Sequence, residues 1–281
     1  MGEIARTDDP LDLIFSEAEL ERQREHITSF ISDTYEASGA ESAVINLSGG
    51  IDSTLTSHLA VEALGRDAVY GLVLPSTVNR DENMSDAERV ASELLDIEYD
   101  VVEISPLVES FLETIPTVDT AALDDDTVQV AVGNLRARIR AVLAFFEANR
   151  RGGLVLGTGN RSEAAVGYYT KYGDGAVDCH PIGNLYKQQV RQLAQYLGVP
   201  EAMATKTPSA GLWDNQTDEE ELGVGYDTLD SILALHVDGP LSTSATAAEL
   251  GVEKSTVEHV RELHAASRHK RHVPPSPEPL F

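Results

Sequence analysis

The sequence predicts an α/β protein in which a parallel sheet is flanked by helices and followed by further helices at the C-terminal end. Short apolar runs at residues 43–47, 69–74 and 153–157 have the length and composition of strands buried on both faces. Helical segments with apolar residues three or four apart separate these runs, and the connections are short. This alternation favours a Rossmann-like parallel sheet.

The elements follow one another in a regular order. Predicted helices span 17–36, 53–64, 85–95, 128–146 and 188–197, and predicted strands span 43–47, 69–74, 99–104 and 153–157. The strongest helical pattern has apolar residues at three- and four-residue spacing: Val128, Ala131, Leu135, Ile139, Val142 and Phe146. Residues 224–268 are also expected to be helical.

Three segments fall outside this pattern. Residues 1–17 are expected to be a poorly ordered lead-in, and the polar, turn-rich residues 205–222 a mobile loop. Residues 274–281 contain four prolines and are expected to form an extended tail. Since neither a repeat nor a long linker interrupts the chain, we expect residues 1–281 to form a single domain.

The composition is that of a globular chain. Hydrophobic residues make up 42% of the 281 residues, enough for a sizeable core, and the sequence lacks the run of about 18 apolar residues that a spanning helix needs. The N-terminal residues lack the pattern of a signal peptide, so we expect a cytoplasmic protein. The single cysteine, Cys179, excludes an intrachain disulfide.

The net charge of −26 is unusual, and lysine is scarce: Lys171, Lys187, Lys206, Lys254 and Lys270. So acidic a surface repels duplex DNA and anionic lipid, so we expect neither a nucleic-acid nor a membrane partner. Acidic residues are spread along the whole chain rather than held in one tail. This favours adaptation to high salt over the alternative of an ordinary acidic enzyme.

A glycine-rich segment joins strand 43–47 to the next helix: Leu47-Ser48-Gly49-Gly50-Ile51-Asp52-Ser53. Two adjacent glycines allow a tight turn that presents several backbone N–H groups, and such a turn before a helix binds phosphate oxygens. Ser48 and Ser53 can add hydroxyl donors, and Asp52 can hold a magnesium ion against bound phosphates. The lysine of the usual P-loop is absent here. A serine-capped Gly-Gly turn without a ligand is the simpler alternative.

This loop resembles that of the ATP pyrophosphatase superfamily, whose members cleave ATP between its α and β phosphates. A second tract narrows the resemblance: Gly157-Thr158-Gly159-Asn160-Arg161-Ser162-Glu163, Gly167-Tyr168-Tyr169-Thr170-Lys171-Tyr172-Gly173-Asp174-Gly175, and Asp178. It is similar to the centre of NAD synthetases. The resemblance implies that Thr158 contacts ATP and that Glu163 completes a magnesium site with Asp52. It also implies that Asp174 lies where ammonia enters.

An arginine-rich helix segment agrees with this resemblance: Asn134-Leu135-Arg136-Ala137-Arg138-Ile139-Arg140. Asn134 and Arg138 share a helix face, and three arginines in so acidic a chain suggest an anionic partner. Salt bridges to neighbouring acids are the structural alternative. In the resembled family this helix lies at a dimer interface and contacts the dinucleotide substrate, with Arg138 the best match.

Further segments extend the match to residues 20–273: Leu185-Tyr186-Lys187-Gln188-Gln189-Val190-Arg191, Lys206-Thr207-Pro208-Ser209-Ala210, Asp218-Glu219-Glu220-Glu221-Leu222-Gly223 and His269-Lys270-Arg271. By resemblance, Lys187 neutralises ATP phosphate charge, and residues 205–222 close over the site. The implied ATP-binding residues are Asn46, Leu47, Ser48, Gly49, Gly50, Ile51, Asp52, Ser53, Thr158, Lys187 and Ser209. The implied residues for deamido-NAD are Asn134, Arg138, Lys171, Asp178, His269 and Lys270.

The resemblance implies an adenine nucleotide alpha hydrolase-like fold and a homodimer. It also implies an amidation of deamido-NAD by ammonia with ATP and Mg²⁺, in which Asp52, Glu163, Lys187 and Asp174 serve the chemistry. Free ammonia is the expected donor, because glutamine hydrolysis would need a further domain; delivery of ammonia by a separate subunit is the alternative. A tRNA-modifying member of the superfamily is one alternative, but the surface is not basic. A DNA-binding regulator is another, because residues 246–257 resemble a helix-turn-helix, although they are acid-rich.

Screening by salt should stabilise this chain. Because the Debye length falls from about 10 Å at 0.1 M to about 3 Å at 1 M salt, repulsion among surface carboxylates weakens. We expect the midpoint of thermal unfolding to rise by on the order of 5–10 °C between 0.1 and 2 M NaCl, as removal of about 2–3 kcal/mol of repulsion would give. Sucrose is the uncharged control. A midpoint that does not move with NaCl would contradict the salt hypothesis.

Overall fold

The structure, a computed structural model of the chain, describes residues 13–76, 82–115, 126–200, 203, 209, 213 and 216–279. Its strands are β1 (Ala43–Leu47), β2 (Val69–Val73), β3 (Glu98–Val101) and β4 (Leu154–Leu156). The helices before β4 are α1 (Glu17–Ser38), α2 (Ile51–Leu64), α3 (Glu82–Arg89), α4 (Ser105–Thr114) and α5 (Asp126–Arg151). After β4 come α6 (Arg161–Val166), α7 (Lys187–Tyr196), α8 (Asp218–Leu222), α9 (Tyr226–Ile232), α10 (Thr243–Leu250) and α11 (Lys254–Ala266).

The four strands form one parallel sheet in the order β3-β2-β1-β4. In the register, Ile45 of β1 lies opposite Gly71 of β2 and Leu156 of β4. Because β1 is central, the loop that follows it opens at the carboxyl edge of the sheet, between the ends of its two neighbours. This is where ligands bind in open α/β sheets.

Both faces of the sheet are covered, as the continuous apolar runs predicted. Ala43, Ile45 and Leu47 pack with residues of α1, α2 and α7 on one face. Val44 and Val155 pack on the other face with residues of α5, including Ala144 and Ala148. A separate core joins α9, α10 and α11 beside α6, so the predicted C-terminal helices are confirmed.

Helix α5 is longer than predicted and is packed differently. Its buried residues are small: Val132, Ala137, Ala141, Ala144 and Ala148. Two of the larger apolar residues of the predicted stripe are exposed to solvent: Val142 is 67% and Phe146 is 62% exposed. The predicted helix is therefore confirmed, but its apolar stripe is only partly turned to the core: Ile139 packs there, and Val142 and Phe146 do not. Alanines allow the helix to lie close to the sheet, and the bulkier side chains are left on the outer side.

Other boundaries also differ from the predictions. Helix α2 begins at Ile51 rather than at residue 53 because Gly50 occupies the N-cap position. The predicted helix 85–95 becomes α3 followed by a π-helical turn, Val90–Leu94. The predicted strand 99–104 ends at Val101, and the prediction missed α4, which has a proline in its first turn. That proline is a helix-start signal.

The last residues of the N-terminal lead-in are hydrogen-bonded to the protein. Leu13 is buried, and its carbonyl accepts a hydrogen bond from Gln192 Nε2 at 2.9 Å. The Phe15 N–H donates to Gln192 Oε1 at 2.8 Å. Residues 13–16 are therefore attached to α7, contrary to the expectation for this part of the lead-in. Residues 1–12, and most of the expected loop 205–222, lie outside the described residues, although its last part forms α8.

Gly167 joins α6 to the C-terminal segment. It ends α6 in the left-handed region, with φ +70°, and a Cβ built on it would lie 2.2 Å from Ser267 Cβ. Residues 164–169 and 264–271 are further linked by hydrogen bonds from Lys270 and Arg271 to carbonyl groups near the end of α6.

Described helices are too short or too polar to cross a membrane.

Gly167→Ala should destabilise the fold by at least about 3 kcal/mol, because left-handed strain adds to a clash. Gly251→Ala is the matched control, since Gly251 has φ +66° but nothing within 4 Å of its Cβ position. The control should lose about 1–2 kcal/mol. Urea unfolding in concentrated salt measures both, and equal losses would show that the contact with Ser267 is unimportant.

Candidate active site

The loop between β1 and α2 is a rigid turn that presents backbone N–H groups. Gly49 has φ +73°, which favours glycine, and Gly50 is the N-cap of α2. Ser48 Oγ accepts a hydrogen bond from the Gly50 N–H at 3.2 Å. Ser53 Oγ accepts one from the Ser48 N–H at 3.3 Å and donates to the Gly50 carbonyl at 3.0 Å. The arrangement is an anion-binding turn at a helix N-terminus.

Beside the loop, one lysine lies between two carboxylates. Lys187, the first residue of α7, is 3% exposed. Its Nζ lies 2.5 Å from Asp52 Oδ2 and 3.2 Å from Glu163 Oε1. Asp52 belongs to the first turn of α2 and Glu163 to that of α6, so the cluster brings together the starts of three helices.

Asn160 holds both carboxylates in position. Its Nδ2 donates to Asp52 Oδ1 at 2.8 Å, and its Oδ1 accepts from the Glu163 N–H at 3.0 Å. Asn160 is fully buried as the N-cap of α6. The sequence motif contains Asn160 but assigns no role to it. An Asn three residues before a Glu is a capping-box pattern, which could have indicated its position at the start of a helix.

The cluster is strongly coupled. Burial raises the pKa of Glu163 to about 7, with Asp52 and Asp218 adding to the rise while Lys187 opposes it. Burial also disfavours the charge of Lys187, but Asp52 and Glu163 outweigh this and raise its pKa. Lys187 is therefore a permanent cation near neutral pH, facing carboxylates whose combined negative charge it does not fully neutralise.

Asp218 is a further acidic group at this end of the site. It is 4% exposed, and its Oδ2 accepts a hydrogen bond from the Tyr226 hydroxyl at 2.9 Å. Burial raises its pKa. Sequence reasoning placed Asp218 in a matching segment but gave it no role, because four consecutive acidic residues are typical of a solvated surface.

These groups line one cavity of about 510 Å³. The predicted residues that line it are Asn46, Leu47, Ser48, Gly50, Ile51, Asp52, Ser53, Asn134, Thr158, Glu163, Asp174, Lys187, Ser209 and Lys270. Residues from the loop after β1, from α5 and from the turn after β4 are thus brought together, as the resemblance implied.

Away from the phosphate loop, the cavity contains a second polar group. The Thr170 N–H donates to Asp174 Oδ1 at 2.8 Å, and Thr170 Oγ1 donates to Asn134 Oδ1 at 2.6 Å. Lys270 Nζ donates to the carbonyls of Gly167 and Tyr169 at 2.6 and 2.7 Å. The surrounding protein raises the pKa of Asp174 and lowers that of Lys270 by desolvation.

Five predicted residues do not belong to the cavity lining. Gly49 is buried behind the loop, and Arg138 is exposed with its Nη2 donating to the Lys171 carbonyl at 3.2 Å. Lys171 Nζ lies 5.1 Å from the centre of the Tyr172 ring. Asp178 Oδ2 accepts from the Val155 N–H at 2.7 Å, and His269 is exposed. Their roles in substrate binding stay predictions.

The arginine of the predicted cluster that enters the cavity is Arg140 rather than Arg138. Its Nε donates to the Leu74 carbonyl, just after β2, at 3.0 Å. Burial, with repulsion from Arg136, lowers its pKa to about 10, so it remains charged near neutral pH. Its position three residues after Ala137 and four before Ala144, both buried, is the signal that could have distinguished it.

Two observations bear on a metal ion and on a nucleophile. Asp52 and Glu163 offer carboxylate oxygens, which suit Mg²⁺, an ion that often takes one or two carboxylates and completes its shell with phosphate and water. In the described ranges, no group of three or more His, Cys, Asp or Glu side chains is arranged to hold a metal alone.

Cys179 is half-buried, and burial together with Asp178 raises its pKa to about 11, so its thiol is a poor nucleophile.

The fold and the cavity together define a nucleotide-binding α/β enzyme with a phosphate loop and a buried acid–lysine cluster. The family model described as NAD synthase matches residues 23–274. The chain belongs to the NAD synthase family, so the predicted family and fold class are confirmed.

Named relatives agree with this assignment. The chain is 61% identical over 268 residues to the NH(3)-dependent NAD(+) synthetase of Halobacterium salinarum, covering 95% of this chain and 97% of that protein. The NMN synthetase structure from Francisella tularensis is 36% identical with a TM-score of 0.79, covering 94% and 99%. The NH3-dependent NAD synthetase structure from Campylobacter jejuni is 28% identical with a TM-score of 0.74, covering 92% and 99%.

Removal of the buried ammonium should destabilise the fold. In Lys187→Met, Asp52 and Glu163 lose their partner, and breaking a buried ion pair in this way costs about 3–5 kcal/mol. Lys254→Met is the matched control, because Lys254 pairs with Glu258 on the surface at 3.0 Å, and such pairs contribute at most about 0.5 kcal/mol. Urea unfolding compares the two variants. A Lys187→Met protein as stable as the control would show that the cluster is not structurally important.

Proposed function

We propose that the chain amidates deamido-NAD with ammonia at this cavity, converting ATP to AMP and pyrophosphate. As a member of the NAD synthase family, the chain catalyses the final, ATP-dependent amidation step of NAD biosynthesis. The observation that carries the proposed site is the buried Lys187 between Asp52 and Glu163, next to the turn of residues 48–50. The cytoplasm is the proposed compartment, since the reaction consumes ATP.

ATP is proposed to place its phosphates on the loop. The N–H groups at the start of α2 and the hydroxyl of Ser48 face the cavity and can donate to phosphate oxygens. The Ser53 hydroxyl also lines the cavity, but it must leave the Gly50 carbonyl to donate to phosphate. Lys187 supplies a positive charge that is already desolvated, so little reorganisation is needed when phosphate arrives. Thr158 and Ser209 line the same cavity and add hydroxyl donors.

Asp52 and Glu163 are proposed to hold Mg²⁺. Their surplus negative charge beside Lys187 fits a divalent cation, and burial with the nearby Asp52 raises the pKa of Glu163. A bound Mg²⁺ supplies neutralisation of phosphate charge. Asn160 keeps the two carboxylates at a fixed separation through its two hydrogen bonds.

The protein's own groups account for the remaining steps. A carboxylate is a poor electrophile, so transfer of AMP to it creates a leaving group and divides a difficult step into two. A substrate carboxylate oxygen forms a bond to the α-phosphorus, and pyrophosphate leaves with its electron pair. Asp174 is proposed to bind ammonium and take a proton, and the free ammonia then displaces AMP. The raised pKa of Asp174 suits a proton acceptor.

An acyl adenylate must be protected from water, and residues 205–222 are proposed to close over it. The described members Ser209, Trp213, Gln216 and Asp218 all line the cavity. Glu221 Oε2 accepts hydrogen bonds from the Tyr168 hydroxyl at 2.6 Å and from Gln216 Nε2 at 3.0 Å. These bonds attach α8 to the turn that follows α6.

We also propose that the chain forms a homodimer through α4 and α5. Leu107 and Phe111 of α4, with Val142 and Phe146 of α5, are large apolar side chains exposed on neighbouring helices. A patch of this kind on an otherwise acidic surface marks a protein interface. Arg138 lies exposed on the same helix, so a substrate that extends beyond the cavity could reach it at the interface.

Purified chain in concentrated salt, given ATP, Mg²⁺, ammonium and deamido-NAD, should form NAD and AMP in equal amounts. Asp52→Asn should lower turnover by at least about 100-fold, since it removes a charged group that acts on the phosphates. Asp227→Asn is the matched control, because Asp227 is exposed and pairs with Arg191 at 3.2 Å.

The choice of substrate tests the proposal further. Nicotinic acid mononucleotide is the comparison substrate, because a structural relative is an NMN synthetase. If the chain prefers nicotinic acid mononucleotide, then the mononucleotide, and not deamido-NAD, is the substrate. If the chain releases AMP with an unrelated carboxylate and forms no NAD, the proposed cleavage of ATP stands and the proposed substrate, deamido-NAD, is wrong.

The dimer can be tested by size. The unsubstituted chain of 30.3 kDa should elute from a sizing column with light-scattering detection at about twice that mass. Phe146→Asp should give a monomer, because a charge cannot be buried unpaired at an apolar interface. Val273→Asp, at a residue exposed on the C-terminal segment, is the control and should remain dimeric. A monomeric unsubstituted chain would overturn the dimer.

A further inference from the structure

Arg140 is a cavity arginine that the proposed steps do not use. It lies on α5 and is fixed at one atom, through the hydrogen bond from Nε to the Leu74 carbonyl at 3.0 Å. Within the described part of the chain, Arg140 makes no other hydrogen bond and no ion pair within 4 Å. A guanidinium has five N–H donors, so its two terminal amino groups are available to a ligand.

The surroundings of Arg140 differ from those of Lys187. The charges that act on Arg140 are those of Arg136, Asp174 and Glu103. Those that act on Lys187 are the carboxylates of the phosphate-loop end. The geometry agrees, since a Cβ built on Gly173, next to Asp174, would lie 3.1 Å from Cβ of Ala137, one turn before Arg140 on α5. Arg140 therefore belongs to the part of the cavity that holds Asp174, and the phosphate end already has its own cation.

The cavity wall around Arg140 is apolar. Alanines and valines from α5, β4 and the segment after α6 line the cavity: Ala137, Ala141, Ala144, Val155 and Val177. Ala144 and Val155 also belong to the core beneath the sheet. Small apolar walls with one fixed arginine suit a flat aromatic ring that bears a carboxylate, because a guanidinium and a carboxylate pair through two parallel hydrogen bonds.

We propose that Arg140 binds the substrate carboxylate that is activated by ATP and directs one of its oxygens to the α-phosphorus. The inference rests on the proposed function. The acyl carbon must lie within reach of ammonia, and hence near Asp174, yet two carboxylates side by side repel each other. Asp174 and Arg140 attract each other electrostatically, so the positive charge of Arg140 offsets this repulsion. After AMP transfer, the same donors contact the acyl oxygen that gains negative charge when ammonia attacks.

The half-reaction without ammonia isolates this role. Exchange of labelled pyrophosphate into ATP, dependent on deamido-NAD, reports adenylylation alone. Arg140→Gln should lower the exchange rate by at least about 100-fold and Arg140→Lys by about tenfold, since lysine keeps the charge but cannot pair bidentately. The KM for deamido-NAD should rise and the KM for ATP should change by less than about threefold. Methylguanidinium should restore part of the exchange in Arg140→Ala.

Arg150→Gln is the matched control, because Arg150 is exposed on the same helix and pairs with Glu147 at 2.7 Å. It should exchange as the unsubstituted chain does. A rise in the KM for ATP alone, or exchange that persists while NAD formation is lost, would overturn the assignment of the carboxylate to Arg140. If neither Arg140→Gln nor Arg140→Lys gives folded protein, the role of Arg140 is structural, and the assignment of the carboxylate to Arg140 is also overturned. An unsubstituted chain without exchange would instead overturn the proposed function, and the assignment with it.

Discussion

The arrangement of the site depends on the ion pairs of one buried ammonium group. Lys187 touches Asp52, 135 positions earlier in the chain, and Glu163, 24 positions earlier. A buried charge is tolerated only when it is paired, so α2, α6 and α7 cannot move independently without a large cost. Buried hydrogen bonds extend the constraint: the Lys187 N–H donates to Ser162 Oγ at 2.9 Å, and Ser162 in turn donates to Asp230.

The cavity combines two electrostatic environments because the reaction joins two anions. Near the loop, Asp52, Glu163 and Asp218 outnumber Lys187, which suits a phosphate–metal complex rather than phosphate alone. Around α5, Arg140 and Lys270 face Asp174, which suits a carboxylate next to an incoming ammonium. Positive charge alone along the cavity would repel the incoming ammonium, and negative charge alone would repel both anionic substrates.

The distribution of lysine links this cavity to the acidic surface. The chain has five lysines, and two of them, Lys187 and Lys270, line the cavity. Elsewhere the described surface pairs its acids mainly with arginine, as in Arg66 with Asp96 and Arg151 with Glu98. Two of the few lysines thus have carboxylate or carbonyl partners inside the cavity, in a chain whose net charge is −26.

The sheet, the loop and the residues predicted to line the site could be identified from local patterns: continuous apolar runs, the Gly49-Gly50 turn and the Thr158–Glu163 tract. The sequence by itself did not determine which face of α5 is buried. Two apolar stripes compete there, and the sheet accepts the alanine stripe because that one allows closer packing. Nor did it distinguish Arg140 from Arg138, or show that Asp218 is buried. Burial and pairing arise between segments that are distant in the chain, so they become visible only once the chain has folded.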